Sequence, residues 1–215
     1  MLFCFIISRI GYPFDPMKNY TNITRCRVCS SRKLTPVVHI KPQFIASTFV
    51  KTNKNNPKAK IKIPMTFLLC RNCGLAQLKE TVQQGLLYES YFYRSNVSNT
   101  MNRDLRNVVS DVVDRVKLKT EDGVLDIGCN DGLMLIFFPE TVRRVGIDPA
   151  KNIDWSHLPK SITIVNDYFP SKKLEGEKFK IITTTAMFYD LNDPNKAVQD
   201  IKKLLSKDGV FCIQV

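Results

Sequence analysis

The strongest periodicity in the chain runs through Met101, Leu105, Val108, Val109, Val112, Val113 and Val116. These apolar positions recur at i, i+3, i+4 and i+7, which predicts an amphipathic helix with Ser98 or Asn99 as its cap. Beyond it, short apolar runs at 124–127, 142–148, 162–165, 179–185 and 210–215 read as strands, separated by helical stretches at 133–138 and 194–206. Asp193-Pro194 suits a helix start, with an acid at the N-cap and proline at the first position, and Asp208-Gly209 suits a turn into the last strand. Strand and helix alternating in this way predict an α/β, Rossmann-like sheet of five parallel strands with right-handed crossovers, its ligand at their carboxyl ends. Before residue 96 the pattern is sparser. Val37, Val38 and Ile40 suggest a strand, and Tyr88, Tyr91, Phe92 and Tyr93 form an aromatic run that faces either a ligand or the next helix.

These patterns divide the chain into an extension at 1–22, a small cysteine-bearing module at 23–95 and the α/β domain at 96–215, with the helix after Ser98 as the link. The first 16 residues include an apolar stretch too short to cross a membrane and without the cationic leader and cleavage site of a signal peptide. Met17 is an alternative start, and the extension is expected to be disordered or mis-assigned. Without an export signal, reduced thiols and a cytoplasmic location are expected, with no membrane partner.

The α/β domain is organised around residues 124–132, VLDIGCNDG, where a buried strand meets a glycine-punctuated turn. A dinucleotide fingerprint starting at Gly128 would need glycine where Asn130 and Leu133 stand, and Asp131 would repel a pyrophosphate at the helix start. The better match is the D-x-G-x-x-x-G turn of class I methyltransferases, Asp126 to Gly132. Their cofactor, S-adenosylmethionine, has no phosphate and carries a cationic sulfonium and ammonium, which suits an acidic loop. Asp148 closes the next strand 22 residues after Asp126, about the separation at which an acid meets a ribose diol. Asn166-Asp167-Tyr168-Phe169 closes the third strand, where an acid and a ring could hold an adenine amino group and face. The alternative is an ordinary glycine turn of a parallel α/β domain.

Cys26-x2-Cys29 and Cys70-x2-Cys73 form two knuckles, the pattern that closes a thiolate tetrahedron around zinc. With all four positions taken by protein, the ion is structural rather than catalytic. The formal charge of +12 fits an anionic partner such as a sugar nucleotide or nucleic acid, or lysines simply solvated over the surface. The lysine-rich loop 51–62 reads the same two ways. It lacks interleaved rings on which bases could stack, which weighs against nucleic acid.

Assembled, these features resemble the sugar-nucleotide C-methyltransferases, class I enzymes with an amino-terminal zinc-binding domain. The resemblance runs in one order across residues 23–215: the first knuckle, CRNCGLAQL, YESYFYRS with Asn99, Thr100 and Met101 after it, IGCNDG with asparagine in place of a glycine, GIDPA, and AMFYDLNDP leading to DGVFCIQV. It implies methyl transfer from S-adenosylmethionine to a carbon of a nucleotide-linked keto-deoxysugar through an enolate. Carried over by position, it implies that Gly128, Asn130 and Gly132 line the methionine and ribose end. Asp148 takes the ribose hydroxyls, Asp167 with Tyr168 or Phe169 meets the adenine, and Ala186 to Tyr189 lie near the methyl group. Tyr91 and Tyr93 face the substrate.

In that family a tyrosine and a His-Glu-His cluster beyond the fifth strand supply the acid and base. His39 and His157 of this chain match neither position, so Tyr189 and Asp190 are the nearest catalytic candidates. The expectation is therefore the amino-terminal half of a split enzyme, completed by a second polypeptide over an apolar edge at Val210, Phe211, Ile213 and Val215, or an inactive remnant. A zinc-knuckle nucleic-acid-binding protein and a methyltransferase for another small acceptor are the alternatives.

Overall fold

The computed structural model describes residues 19–46 and 61–215, which divide into two units: 19–46 with 61–83, and 84–215. The extension is corrected in part. Residues 1–18 lie outside the described residues, as does most of the lysine-rich loop, but Tyr20–Asn22 is a strand, β1, paired antiparallel with β5 (Glu80–Val82). The rest of the first unit is an antiparallel sheet of β2 (Leu34–Phe44), β3 (Lys62–Cys70) and β4 (Ala76–Leu78). Ile63, Thr66, Leu68 and Cys70 of β3 are buried, the last three at alternate positions. The buried carboxylate of Glu80 is satisfied there, accepting hydrogen bonds from Thr66 N at 2.8 Å and Thr66 Oγ1 at 2.9 Å.

The second unit opens with α1 (Gln84–Tyr88), a 3₁₀ turn at Ser95–Val97 and α2 (Asn99–Val116). Of the two expected caps, Ser98 serves: its side chain accepts a hydrogen bond from Met101 N at 3.2 Å. There follow β6 (Gly123–Ile127), α3 (Leu133–Phe137), β7 (Arg143–Asp148), β8 (Ile162–Asn166), β9 (Phe179–Thr185), α4 (Pro194–Leu204) and β10 (Leu205–Gln214). Asp193 caps α4, accepting from Lys196 N. The five strands are all parallel, in the order β10-β9-β6-β7-β8, so the chain reverses its direction of travel across the sheet between β6 and β9.

Helices cover both faces of this sheet. Leu105, Val109 and Val112 of α2 and Leu133, Met134 and Leu135 of α3 pack with Val124, Ile162 and Ile181 on one side. Ile201 and Leu204 of α4 pack with Leu125, Ile127, Val145, Ile147, Phe179 and Ile182 on the other. Neighbouring residues of β6 and β9 thus serve opposite faces, as the two-residue period of a strand requires. Gly146 is the tight point. A Cβ there would lie 2.6 Å from Cys129 Sγ and 2.8 Å from Leu135 Cδ1, so the turn after β6 packs directly on a bare strand. Gly146→Ala is expected to destabilise the fold by about 1–3 kcal/mol through overpacking, seen as a lower denaturation midpoint at unchanged slope.

The domain boundary differs from the sequence expectation of 95/96. Residues 84–95 belong to the second unit, because their backbone is bonded to its loops. Tyr91 N donates to Asn152 Oδ1 at 3.1 Å, Lys151 N to Glu89 O at 2.8 Å, and Ser95 N to Asn130 Oδ1 at 3.3 Å. The helix α2 is likewise a component of the second unit rather than a link, packed on α3.

Candidate functional site

In the first unit the four predicted metal ligands come together. The sulfurs of Cys26, Cys29, Cys70 and Cys73 all lie within 4.8 Å of one another, with Cys26–Cys73 at 3.6 Å and Cys29–Cys70 at 3.5 Å. Four thiolates about 2.3 Å from a tetrahedral zinc stand roughly 3.8 Å apart, so the donor set fits that ion and leaves it no open position. The two knuckles repeat one design: Ser30 N donates to Cys26 O at 3.0 Å, and Gly74 N to Cys70 O at 2.9 Å. Gln77 Nε2 donates to Cys26 Sγ at 3.3 Å. Burial opposes ionisation of the Cys26 thiol, but the Cys29 N–H and Gln77 amide prevail and bring it down to about 6. The residue after each second cysteine is left-handed, Gly74 at φ 80° and Ser30 at φ 59°. Ser30→Gly is expected to stabilise the metal-loaded unit by about 1 kcal/mol, because a side chain in that region is strained. Calorimetric melting measures it.

His39 stands apart from this cluster, with Nδ1 3.0 Å from Thr66 Oγ1, and His157 is exposed, with Nδ1 3.0 Å from Asp154 O.

In the second unit a cavity of about 230 Å³ opens at the carboxyl ends of β6, β7, β8 and β9, astride the point where the strand order reverses. Asp126, Ile127, Gly128 and Asn130 form its floor. Asp148 and Pro149 come from β7, Tyr168 and Phe169 follow β8, and Thr185, Ala186, Met187, Tyr189 and Asp190 follow β9. Asp126 is fully buried, and its carboxylate accepts a hydrogen bond from Thr183 Oγ1 at 2.7 Å. Burial pushes its pKa up to about 7, partly offset by that hydroxyl and reinforced by the charge of Asp148. Burial also raises Asp148, whose oxygens accept from Ala150 N and Asn130 N, both at 2.9 Å. Each still has lone pairs for a ligand.

Of the predicted cofactor residues, Asp126, Gly128, Asn130, Asp148, Tyr168, Phe169 and Ala186 line the cavity, and so do Tyr91, Tyr93, Tyr189 and Asp190. Gly132 and Asp167 do not. Gly132 is left-handed at φ 79° before α3, and a Cβ on it would meet Leu158 Cδ1 at 2.7 Å, so glycine there serves packing. Asp167 is held by its own loop, accepting from Ser171 Oγ at 2.7 Å and Tyr168 N at 2.9 Å. The spacing D-Y-F-P-S carries that signal, since a carboxylate just before a turn is readily taken by a local hydroxyl and N–H.

Tyr88 of the aromatic run and Met187, beside Ala186, also line the cavity, and so do Ser95 and Met101, which sequence reasoning missed. Tyr88 hydrogen-bonds to Asp190; burial, and then the charge of Asp190, push its hydroxyl above the ordinary tyrosine range. Burial raises the Asp190 carboxyl in turn, against the effect of that bond. No local pattern could pair these residues across some hundred positions.

A parallel α/β sheet with an acidic glycine turn at its switch point defines the class I methyltransferase fold. The chain belongs to the methyltransferase-domain family, whose profile matches residues 101–215, and a zinc binding domain matches residues 26–88. The C-methyltransferase NovU of Streptomyces niveus is 23% identical over 201 residues, covering 90% of this chain and 47% of that protein. The chain thus spans about half the length of this curated relative. Among solved structures, the plantazolicin methyltransferase BpumL, in complex with a pentazolic analogue and SAH, has a TM-score of 0.47 at 19% identity and covers 55% of this chain and 49% of its own. YcgJ of Bacillus subtilis gives 0.45 at 23% identity, covering 50% and 49%.

Proposed function

We propose that this protein transfers a methyl group from S-adenosylmethionine to a carbon of a nucleotide-linked keto-deoxysugar. The observation that carries the cofactor half is the placing of two buried carboxylates, Asp126 and Asp148, on the cavity floor at the switch point. Such a floor attracts a sulfonium and an ammonium and repels a pyrophosphate. Asp148 would accept the ribose hydroxyls, Tyr168 and Phe169 would stack on the adenine, and the turn at Gly128 would hold the amino-acid end. When bound, the cofactor supplies an electrophilic methyl group.

The acceptor half is supported by the wall of Tyr88, Tyr91 and Tyr93, hydroxyl-bearing rings suited to a sugar, and by the similarity to a C-methyltransferase. Asp190 is the proton acceptor that the cavity offers for a carbon next to a ketone. With Tyr88 bonded to it and its carboxyl raised, it stands closer than an ordinary aspartate to the basicity such a step needs. Asp190→Asn is expected to abolish incorporation of solvent deuterium at that carbon, measured by mass spectrometry on a panel of nucleotide-linked keto sugars. Incorporation at the wild-type rate would remove Asp190 from that role.

The cofactor assignment is tested by titrating S-adenosylmethionine into the metal-loaded protein, beside Asp148→Ala. Saturable binding, weakened tenfold or more by the substitution, is expected. A folded protein that binds nothing would overturn it.

A further inference from the structure

Asn130 stands where the methyltransferase turn ordinarily carries glycine, and it is left-handed, at φ 50°. Glycine would adopt that conformation without strain, so the asparagine side chain needs a reason. Its bonds supply one. Asn130 Oδ1 accepts from Asp131 N at 2.8 Å and from Ser95 N at 3.3 Å, and Nδ2 donates to Tyr93 O at 3.1 Å, while Asp131 Oδ2 accepts from Asn96 N at 2.9 Å. The backbone N–H of Asn130 donates to Asp148 Oδ2 at 2.9 Å, and its carbonyl accepts from Trp155 Nε1 at 2.9 Å. One residue therefore joins the cofactor turn, the ribose-side acid and the segment 91–96 that carries Tyr91 and Tyr93. Arg94 braces the far side of that segment, donating to Tyr91 O, Tyr93 O and Asn152 O at 2.6–2.8 Å.

Resting on the cofactor reading above, we propose that Asn130 is a positioning residue. Its amide ties the tyrosine segment to the cofactor turn, so that occupancy of the cofactor site orders the acceptor-facing wall. The physical content is a shared anchor. A ligand that stiffens the turn at 128–130 and engages Asp148 restrains the atoms to which residues 93 and 95 are bonded, and ordering of the two becomes one event.

Native-state hydrogen exchange on the full chain tests this, with and without saturating S-adenosylhomocysteine, in the wild type, Asn130→Gly and Asn130→Asp. In the wild type, the amides of Ser95 and Asn96 should be protected and should slow at least tenfold further with ligand. Asn130→Gly should lose most of the Ser95 protection and the ligand-dependent slowing. Its melting temperature should fall by no more than a few degrees, because the ease of glycine in the left-handed backbone offsets part of the lost hydrogen bonds. Asn130→Asp keeps an acceptor for Ser95 N and loses the donor to Tyr93 O, so it should restore part of the protection. Unchanged exchange at Ser95 in Asn130→Gly, or loss spread evenly over the second unit, would overturn the proposal. A wild type that binds no S-adenosylhomocysteine by calorimetry, yet loses Ser95 protection on Asn130→Gly, would overturn the cofactor reading and the coupling while leaving the anchor in place.

Discussion

Stripping the metal with a strong chelator is expected to unfold residues 19–83. Limited proteolysis would then cut within that unit while residues 84–215 stay protected. The reason is how little else holds it. Its buried apolar side chains among the described residues are Cys26, Ile45, Ile63, Leu68 and Cys70, and two of these five are ligands. Two short sheets around so small a core cannot offset the conformational entropy of some fifty ordered residues. A four-thiolate zinc site contributes on the order of 10–16 kcal/mol near neutral pH, and in small metal-bound units that is the folding free energy. Cys26→Ser should reproduce the effect without chelator, because it removes a buried ligand and leaves Gln77 Nε2 without its sulfur acceptor. Resistance to protease after stoichiometric loss of metal would show that the sheets stand alone.

Asp126→Asn is expected to stabilise the ligand-free protein at pH 8 by about 4 kcal/mol and to leave it unchanged near pH 4. An exposed aspartate ionises near 3.8, whereas burial raises Asp126 to about 7. Its neutral form therefore stabilises the fold fully below about pH 4, and that contribution is lost as the pH rises through 7. Each unit of displacement is worth about 1.4 kcal/mol. Asparagine preserves shape and a hydrogen bond to Thr183 while removing the charge. The opposite sign is expected for binding. A cationic ligand favours the ionised carboxylate, so wild-type affinity for S-adenosylmethionine should rise with pH between 5 and 7 and level off above. Asp126→Asn should bind weakly and without that slope. Denaturant unfolding and calorimetry at pH 5 and 8 measure both. Equal stability of the two proteins at pH 8 would mean that the carboxylate is accommodated without cost.

Much of this was legible in the chain, for physical reasons. The five parallel strands announce themselves because buried strands must be continuous apolar runs. The caps Ser98 and Asp193 follow from the need of helix ends for acceptors, and the cysteine spacing leaves few other ligand geometries. What escaped depends on bonds between distant residues. The tyrosine segment reads as part of the cysteine module because nothing local shows that Asn130, Lys151 and Asn152 hold its backbone. Asp167 looked like a ligand-facing acid because its capture by Ser171 and Tyr168 N is a matter of loop geometry. Gly132 ends the glycine turn in the left-handed region, and nothing local shows that its bare Cα also leaves room for Leu158.

The two cysteine knuckles, alike in backbone but unlike at the position after the second thiol, also imply an order of assembly. The Cys70–Cys73 turn ends a strand of the sheet and has glycine where the chain turns left-handed, so it can reach its metal-holding shape unaided. The Cys26–Cys29 turn asks the same of a serine, and joining the two knuckles across about 40 residues costs roughly 3 kcal/mol of chain entropy whichever holds the ion first. The ion should therefore be captured first by the later knuckle and only afterwards by the earlier one. In a chain made from its amino terminus, this module stays open until its last ligands have been synthesised.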